Sequence, residues 1–76
     1  MTPYLNLSGN SNVVAYKITE DTIQVVFKSG SYRNYLYNSF RPGRVRVEQM
    51  KALALQGQGL NSYISSFVKS NYAMKW

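Results

Sequence analysis

The sequence predicts a small α+β domain in which a three-stranded antiparallel meander is followed by two short helices packed on one face of the sheet (βββαα). Two observations carry this prediction. Between residues 12 and 37, apolar residues alternate with polar ones at period two, which is typical of β-strands. Beyond Gly43 the apolar spacing changes to i, i+3, i+7, which is typical of an amphipathic helix. A chain of 76 residues suits one such domain with a small core.

Three strands account for the first half of the domain. The first is predicted over residues 12–19, and Glu20–Asp21 forms a tight polar turn into the second. Residues 22–37, TIQVVFKSGSYRNYLY, are predicted to form a β-hairpin that turns at Ser29–Gly30. Alternation places one set of side chains against the core: Val14, Tyr16, Ile18, Ile23, Val25, Phe27, Tyr35 and Tyr37. The opposite face, open to solvent, is predicted to carry Val13, Ala15, Lys17, Gln24, Val26 and Lys28.

Two helices follow a loop at residues 38–43. The first is predicted from Arg44 to Gln56, and Gly57 ends it at the C′ position, where glycine accepts a left-handed backbone. The second begins near Asn61, whose side chain can serve as the N-cap, and runs to about Ser70. The helical residues predicted to complete the core are Val47, Met50, Leu53, Leu60, Ile64 and Phe67.

Both ends of the chain lack this periodicity. Residues 1–10 contain Pro3 and Gly9, and we expect a flexible arm that is disordered or laid along the sheet. The single domain is expected to span residues 11–70, and residues 71–76 are expected to form a tail.

Composition excludes several classes of function. The chain has no cysteine and no histidine, so the usual ligands of zinc, haem and iron–sulfur clusters are missing and we expect no cofactor. No run of 18 or more apolar residues is present, so we expect no membrane partner and a cytoplasmic location. Glu20 and Asp21 are adjacent, Glu48 stands alone, and the serines have no histidine as a base. The sequence therefore predicts a binding protein and not an enzyme.

Charge indicates what this protein binds. Nine lysines and arginines against three acidic residues give a net charge of +6, which favours a polyanion. Three arginines occur in RPGRVR at the start of the first helix, and a lysine and an arginine flank the hairpin turn beside an exposed tyrosine. Arginine binds phosphate with two parallel hydrogen bonds, and exposed aromatic rings stack on bases. The candidate nucleic-acid-binding residues are therefore Lys28, Tyr32, Arg33, Arg41, Arg44 and Arg46.

An ordered set of motifs indicates a resemblance to a known family. The chain contains F-x-x-G, then Y-x-Y with an apolar residue three positions later, then G-x-x-x-N-x-x-I. The residues concerned are Phe27, Gly30, Tyr35, Tyr37, Phe40, Gly57, Asn61 and Ile64, preceded by Val14-Ala15-Tyr16. Over residues 11–68 the chain resembles the KTSC domain, a module named after the C-terminal extension of some lysyl-tRNA synthetases and also found as small bacterial and phage proteins. The resemblance implies RNA binding, which the synthetase association suggests for the family.

Two functional hypotheses follow. The first is a module that contacts the backbone of RNA or single-stranded DNA without strong sequence specificity. The second is a protein-interaction module, such as a phage or accessory factor, that engages its partner through the open sheet face or an edge strand. One continuous positive surface would favour the first, and an apolar patch around Val13, Val26 and Leu36 would favour the second. In either case we expect a monomer or a weak homodimer.

Overall fold

The computed structural model, which describes residues 1–76, has five antiparallel strands in the order β1-β2-β3-β4-β5 and helices that pack on one face of the sheet. The strands are β1 (Thr2–Pro3), β2 (Val13–Ile18), β3 (Thr22–Phe27), β4 (Asn34–Asn38) and β5 (Met74–Lys75). The helices are α1 (Arg44–Gln56) and α2 (Leu60–Tyr63), which continues as a π-helical turn (Ile64–Val68). The α+β class is confirmed, but the prediction of three strands was too low. A bilayer-spanning helix is not among these elements.

The two additional strands come from the segments that we expected to be an arm and a tail. Thr2 pairs with Tyr16 on one edge of the sheet, and Lys75 pairs with Tyr35 on the other. Tyr4 is buried, and its hydroxyl accepts a hydrogen bond from the backbone N–H of Leu60 at 3.3 Å. Strands of two residues have no measurable period, so alternation in the sequence could not reveal them.

Replacing Tyr4 with phenylalanine tests how firmly the arm is held. The ring remains, but the buried N–H of Leu60 loses its acceptor, so we expect a loss of about 1–2 kcal/mol in the free energy of unfolding, measured with urea. Tyr16→Phe is the matched control, because that tyrosine is equally buried and its hydroxyl is not engaged in a hydrogen bond with the protein. Equal losses in the two variants would contradict the role of the Tyr4 hydroxyl.

The central hairpin follows the predicted register. Ile23 pairs with Tyr37 and Val25 with Tyr35, so these side chains share the core face as alternation predicts. At the other turn, the Thr19 N–H donates to the Thr22 carbonyl at 3.0 Å across Glu20–Asp21. The β2–β3–β4 meander of the prediction is therefore the centre of the sheet.

The prediction was wrong at the start of β2. Val13 is opposite Phe27 and Ala15 is opposite Val26, so β2 has one extra residue and forms a β-bulge there. The bulge shifts the alternation by one position. Val13 is therefore buried, whereas Val14, predicted to face the core, is 41% exposed.

The helices also follow the prediction in part. α1 has the predicted bounds, and Gly57 ends it with a left-handed backbone (φ 78°). α2 begins at Leu60 after Gly59, so Asn61 is not the N-cap. In the π-helical turn, the Lys69 N–H donates to the Ile64 carbonyl five residues back.

This wider turn rotates the helix, with the result that Val68 is buried and Phe67, predicted to be in the core, is 59% exposed. The buried side chains of the sheet and the helices form one core: Tyr4, Val13, Tyr16, Ile23, Val25, Tyr37, Val47, Met50, Ala54, Leu60, Ile64 and Val68.

Candidate nucleic-acid interface

The β4–α1 loop, residues 39–43, is organised around Asn38. The Asn38 Oδ1 atom accepts hydrogen bonds from the backbone N–H groups of Phe40 (3.0 Å) and Arg41 (2.9 Å). Its own backbone N–H donates to the Arg41 carbonyl at 2.9 Å, and its carbonyl accepts from Gly43 at 3.2 Å. Four hydrogen bonds fix this short loop, and the Phe40 side chain that it carries is 87% exposed.

Three arginines surround this loop and the start of α1. Arg44 and Arg46 line one concave surface of about 520 Å³ together with Tyr63. The Arg46 guanidinium lies 5.7 Å from the centroid of the exposed Phe67 ring, within cation–π range. The Arg41 Nε atom donates to the Asn71 Oδ1 atom at 3.2 Å. The surface defined by Phe40, Arg41, Arg44, Arg46, Tyr63 and Phe67 is called the arginine surface below.

No carboxylate neutralises the arginine surface. The one ion pair of the protein joins Lys51 to Glu48 at 2.9 Å, and the same ammonium group donates to the Glu20 carbonyl at 2.7 Å. The first turn of α1 contains no acidic residue and no side-chain cap. The three guanidinium groups are therefore available to an external anion.

The other predicted site residues lie elsewhere. Lys28, Tyr32 and Arg33 are all exposed in the β3–β4 turn, at the opposite end of β4 from the arginine loop. β4 has five residues and is about 13 Å long at roughly 3.3 Å per residue. The six predicted residues thus form two groups at the two ends of one strand.

The C-terminal segment runs between the two groups along the edge of β4. It begins at Asn71, which binds Arg41, and continues through Tyr72, whose ring packs edge-on against Tyr35 at 5.1 Å. The Lys75 ammonium lies 4.7 Å from the Tyr32 ring centroid and 5.3 Å from that of Tyr72. Cations and aromatic rings therefore follow one another from the arginine surface to the hairpin turn.

Reasoning from sequence missed Phe67 on the arginine surface, and Tyr72 and Lys75 on the segment that leads from it to the hairpin turn. Phe67 was assigned to the core by helical spacing, and the other two were placed in a tail without period. The alternation in Met74-Lys75-Trp76 was the one signal for a strand there, and it is too short to stand alone.

No protein-family model, curated protein or solved structure matches this chain in comparisons of sequence and fold. The resemblance to the KTSC domain stays a prediction.

Proposed function

We propose that this protein is a binding module for single-stranded nucleic acid, RNA or DNA, which it holds by the sugar–phosphate backbone. The observation that carries the proposal is the pairing of Arg46 with the exposed ring of Phe67, without a carboxylate partner, with Arg44 on the same concave surface and Arg41 in the preceding loop. Guanidinium groups bind phosphate oxygens bidentately, and exposed aromatic rings stack on unpaired bases. A net charge of +6 on 76 residues adds a general attraction for polyanions.

The proposed path of the nucleic-acid strand runs from the arginine surface to the hairpin turn. It begins at the arginine surface, where Phe40 and Phe67 offer exposed rings, and continues along the 71–76 segment past Lys75. It ends at the hairpin turn, where Lys28 and Arg33 supply the last cations.

Recognition on this path is tolerant of sequence. Phosphate contacts carry no information about the base, and every base presents a flat face for stacking. Catalysis is not part of the proposal, because Glu20 and Asp21 lie together in one turn and Glu48 is paired with Lys51.

Truncating Phe67 to alanine tests the stacking part of the proposal. One stacked base is worth about 1–3 kcal/mol, so we expect affinity for a short oligonucleotide to fall by a factor of roughly 5 to 150. Folding stability should change by less than about 1 kcal/mol, because the ring is mostly exposed. Fluorescence titration measures the affinity, and circular dichroism reports the fold.

The matched control is Leu55→Ala, which removes an equally exposed apolar side chain from α1 outside the arginine surface. It should bind as tightly as the wild type. Equal affinity of Phe67→Ala and Leu55→Ala would refute stacking on Phe67.

A protein partner on the open sheet face is the second candidate. Met74 and Trp76 are exposed at the edge of that face, beside the half-buried Leu36 and Val26. Val13, the third residue of the patch expected from sequence, lies in the core. Both edge strands have two residues, so they offer little backbone for strand addition. Under this alternative, Trp76→Ala abolishes the interaction and Phe67→Ala leaves it intact.

A further inference from the structure

A cleft of about 340 Å³ opens between the β3–β4 turn and the π-helical turn, apart from the arginine surface. Its walls are the rings of Phe27, Tyr32 and Tyr35, of which Phe27 and Tyr35 meet edge-to-face at 5.2 Å. Its volume lies near the lower end of the range for small-molecule sites. Aromatic walls of this kind suit a flat ring.

The hydroxyl of Tyr37 belongs to this cleft. Tyr37 is 1% exposed and lines the cleft, and its hydroxyl makes no hydrogen bond to another protein group. No side-chain polar atom of the protein is both buried and unpaired, so the small exposed part of Tyr37 must include the hydroxyl. Burial, followed by the neighbouring Tyr35 and Tyr72, raises the pKa of Tyr37 well above its usual range. The group therefore stays neutral and presents a hydrogen-bond donor to the cleft.

A single cation, Lys69, stands among the residues that line this cleft, and its backbone is unusual. It has φ 53° and ψ −124° and lies in a turn closed by the Asn71 N–H and the Val68 carbonyl at 3.0 Å. These angles match the first central position of a type II′ turn, which strongly favours glycine. A lysine at a glycine position carries a conformational cost, and such costs are concentrated at functional sites.

From these three features we infer that the cleft binds one nucleotide, with the base between the aromatic walls, a base acceptor on the Tyr37 hydroxyl and the phosphate at Lys69. The inference rests on the proposed function for the class of its ligand, but it uses different residues. The base of the nucleotide packs against the aromatic walls, and a polar atom on its edge accepts a hydrogen bond from the Tyr37 hydroxyl. The phosphate of the nucleotide pairs with the Lys69 ammonium group. The nucleotide is either free or part of the strand that ends at the hairpin turn.

Calorimetric titration with uridine and adenosine 5′-monophosphates tests the inference. Tyr37→Phe keeps the ring and should weaken binding roughly threefold to tenfold. Lys69→Gln should weaken it roughly twofold to fivefold and remove the preference for the monophosphate over the nucleoside. Tyr16→Phe, which removes a hydroxyl from a buried tyrosine outside the cleft, should bind like the wild type.

Lys69→Gly separates a binding role from a structural one. Glycine relieves the turn, so the midpoint of urea unfolding should rise while nucleotide affinity falls. If Lys69 has a purely structural role, the midpoint of urea unfolding of this variant should fall instead, and that result would count against the inference.

Repeating the titrations with a short oligonucleotide identifies the source of the nucleotide. If Tyr37→Phe weakens the binding of the monophosphates, the ligand is a free nucleotide. If it weakens only the binding of the oligonucleotide, the cleft holds one base of a nucleic-acid strand. Insensitivity of both overturns the inference. If Phe67→Ala still lowers oligonucleotide affinity in that case, the proposed function stands without the cleft. Conversely, if Tyr37→Phe weakens binding while Phe67→Ala has no effect, stacking on Phe67 is refuted and the inference about the cleft stands.

Discussion

Replacing Gly57 with alanine is expected to destabilise the protein by about 3 kcal/mol. Gly57 has φ 78°, which L-residues adopt only at a cost, and an added Cβ atom would lie 2.5 Å from the Cβ atom of Leu5. Its carbonyl also accepts the Leu7 N–H at 2.8 Å, so the same residue ends α1 and holds the N-terminal segment. Domains of this size are marginally stable, so the variant would lose much of its stability.

Gly9→Ala is the matched control for this prediction. Gly9 has a similar φ of 84°, but an added Cβ atom would meet open space. We expect this variant to lose only the conformational part, about 1 kcal/mol, in urea unfolding. Equal losses in both variants would mean that Leu5 moves away without cost, which would contradict the packing of the N-terminal segment against α1.

Removing all three arginines of the arginine surface is expected to have the largest effect on binding. Arg41, Arg44 and Arg46 are free of carboxylate partners, so each is available to contact one phosphate. Contacts of up to about 1 kcal/mol each make the triple alanine variant as much as roughly 150-fold weaker for an oligonucleotide at low salt. The fold should persist, because none of the three side chains belongs to the core.

A charge-matched control separates this surface from general attraction. Lys17→Ala removes one positive charge from an exposed position on β2, away from the arginine surface. It should bind oligonucleotides nearly as well as the wild type, whereas Arg44→Ala should bind measurably less tightly. If the two single variants lose affinity equally, only the net charge matters and the arginine surface has no special role.

The sequence was informative wherever a residue pattern persisted over several positions. The β3–β4 hairpin has six and five residues in its strands, enough for alternation to place Ile23, Val25, Tyr35 and Tyr37 on one face. The bounds of α1 were equally clear, because a glycine follows its last turn.

Single-residue irregularities defeated the same reasoning. The bulge at Val14 shifts the alternation of β2 by one position and exposes Val14. The π-helical turn before Lys69 likewise shifts the helical pattern and exposes Phe67. Neither feature has a sequence signature of its own, since both depend on tertiary packing.

The candidate site was harder to derive than the fold. The residue types of the arginine loop could be chosen from charge and chemistry alone, but their neighbours depend on long-range contacts. Asn71 is thirty residues from Arg41 in the chain, and Phe67 reaches Arg46 only because the π-helical turn points it outward. The β3–β4 turn and the β4–α1 loop flank β4, so their cations lie at opposite ends of this strand.

The salt dependence of oligonucleotide affinity tests the central claim most directly. Each phosphate contact on a single strand contributes about 0.7 to the slope of log affinity against log salt concentration, so the triple arginine variant should have a slope shallower by about 2. Lys17→Ala should keep the wild-type slope. A triple variant with the wild-type slope would contradict the claim that this surface holds the nucleic-acid backbone.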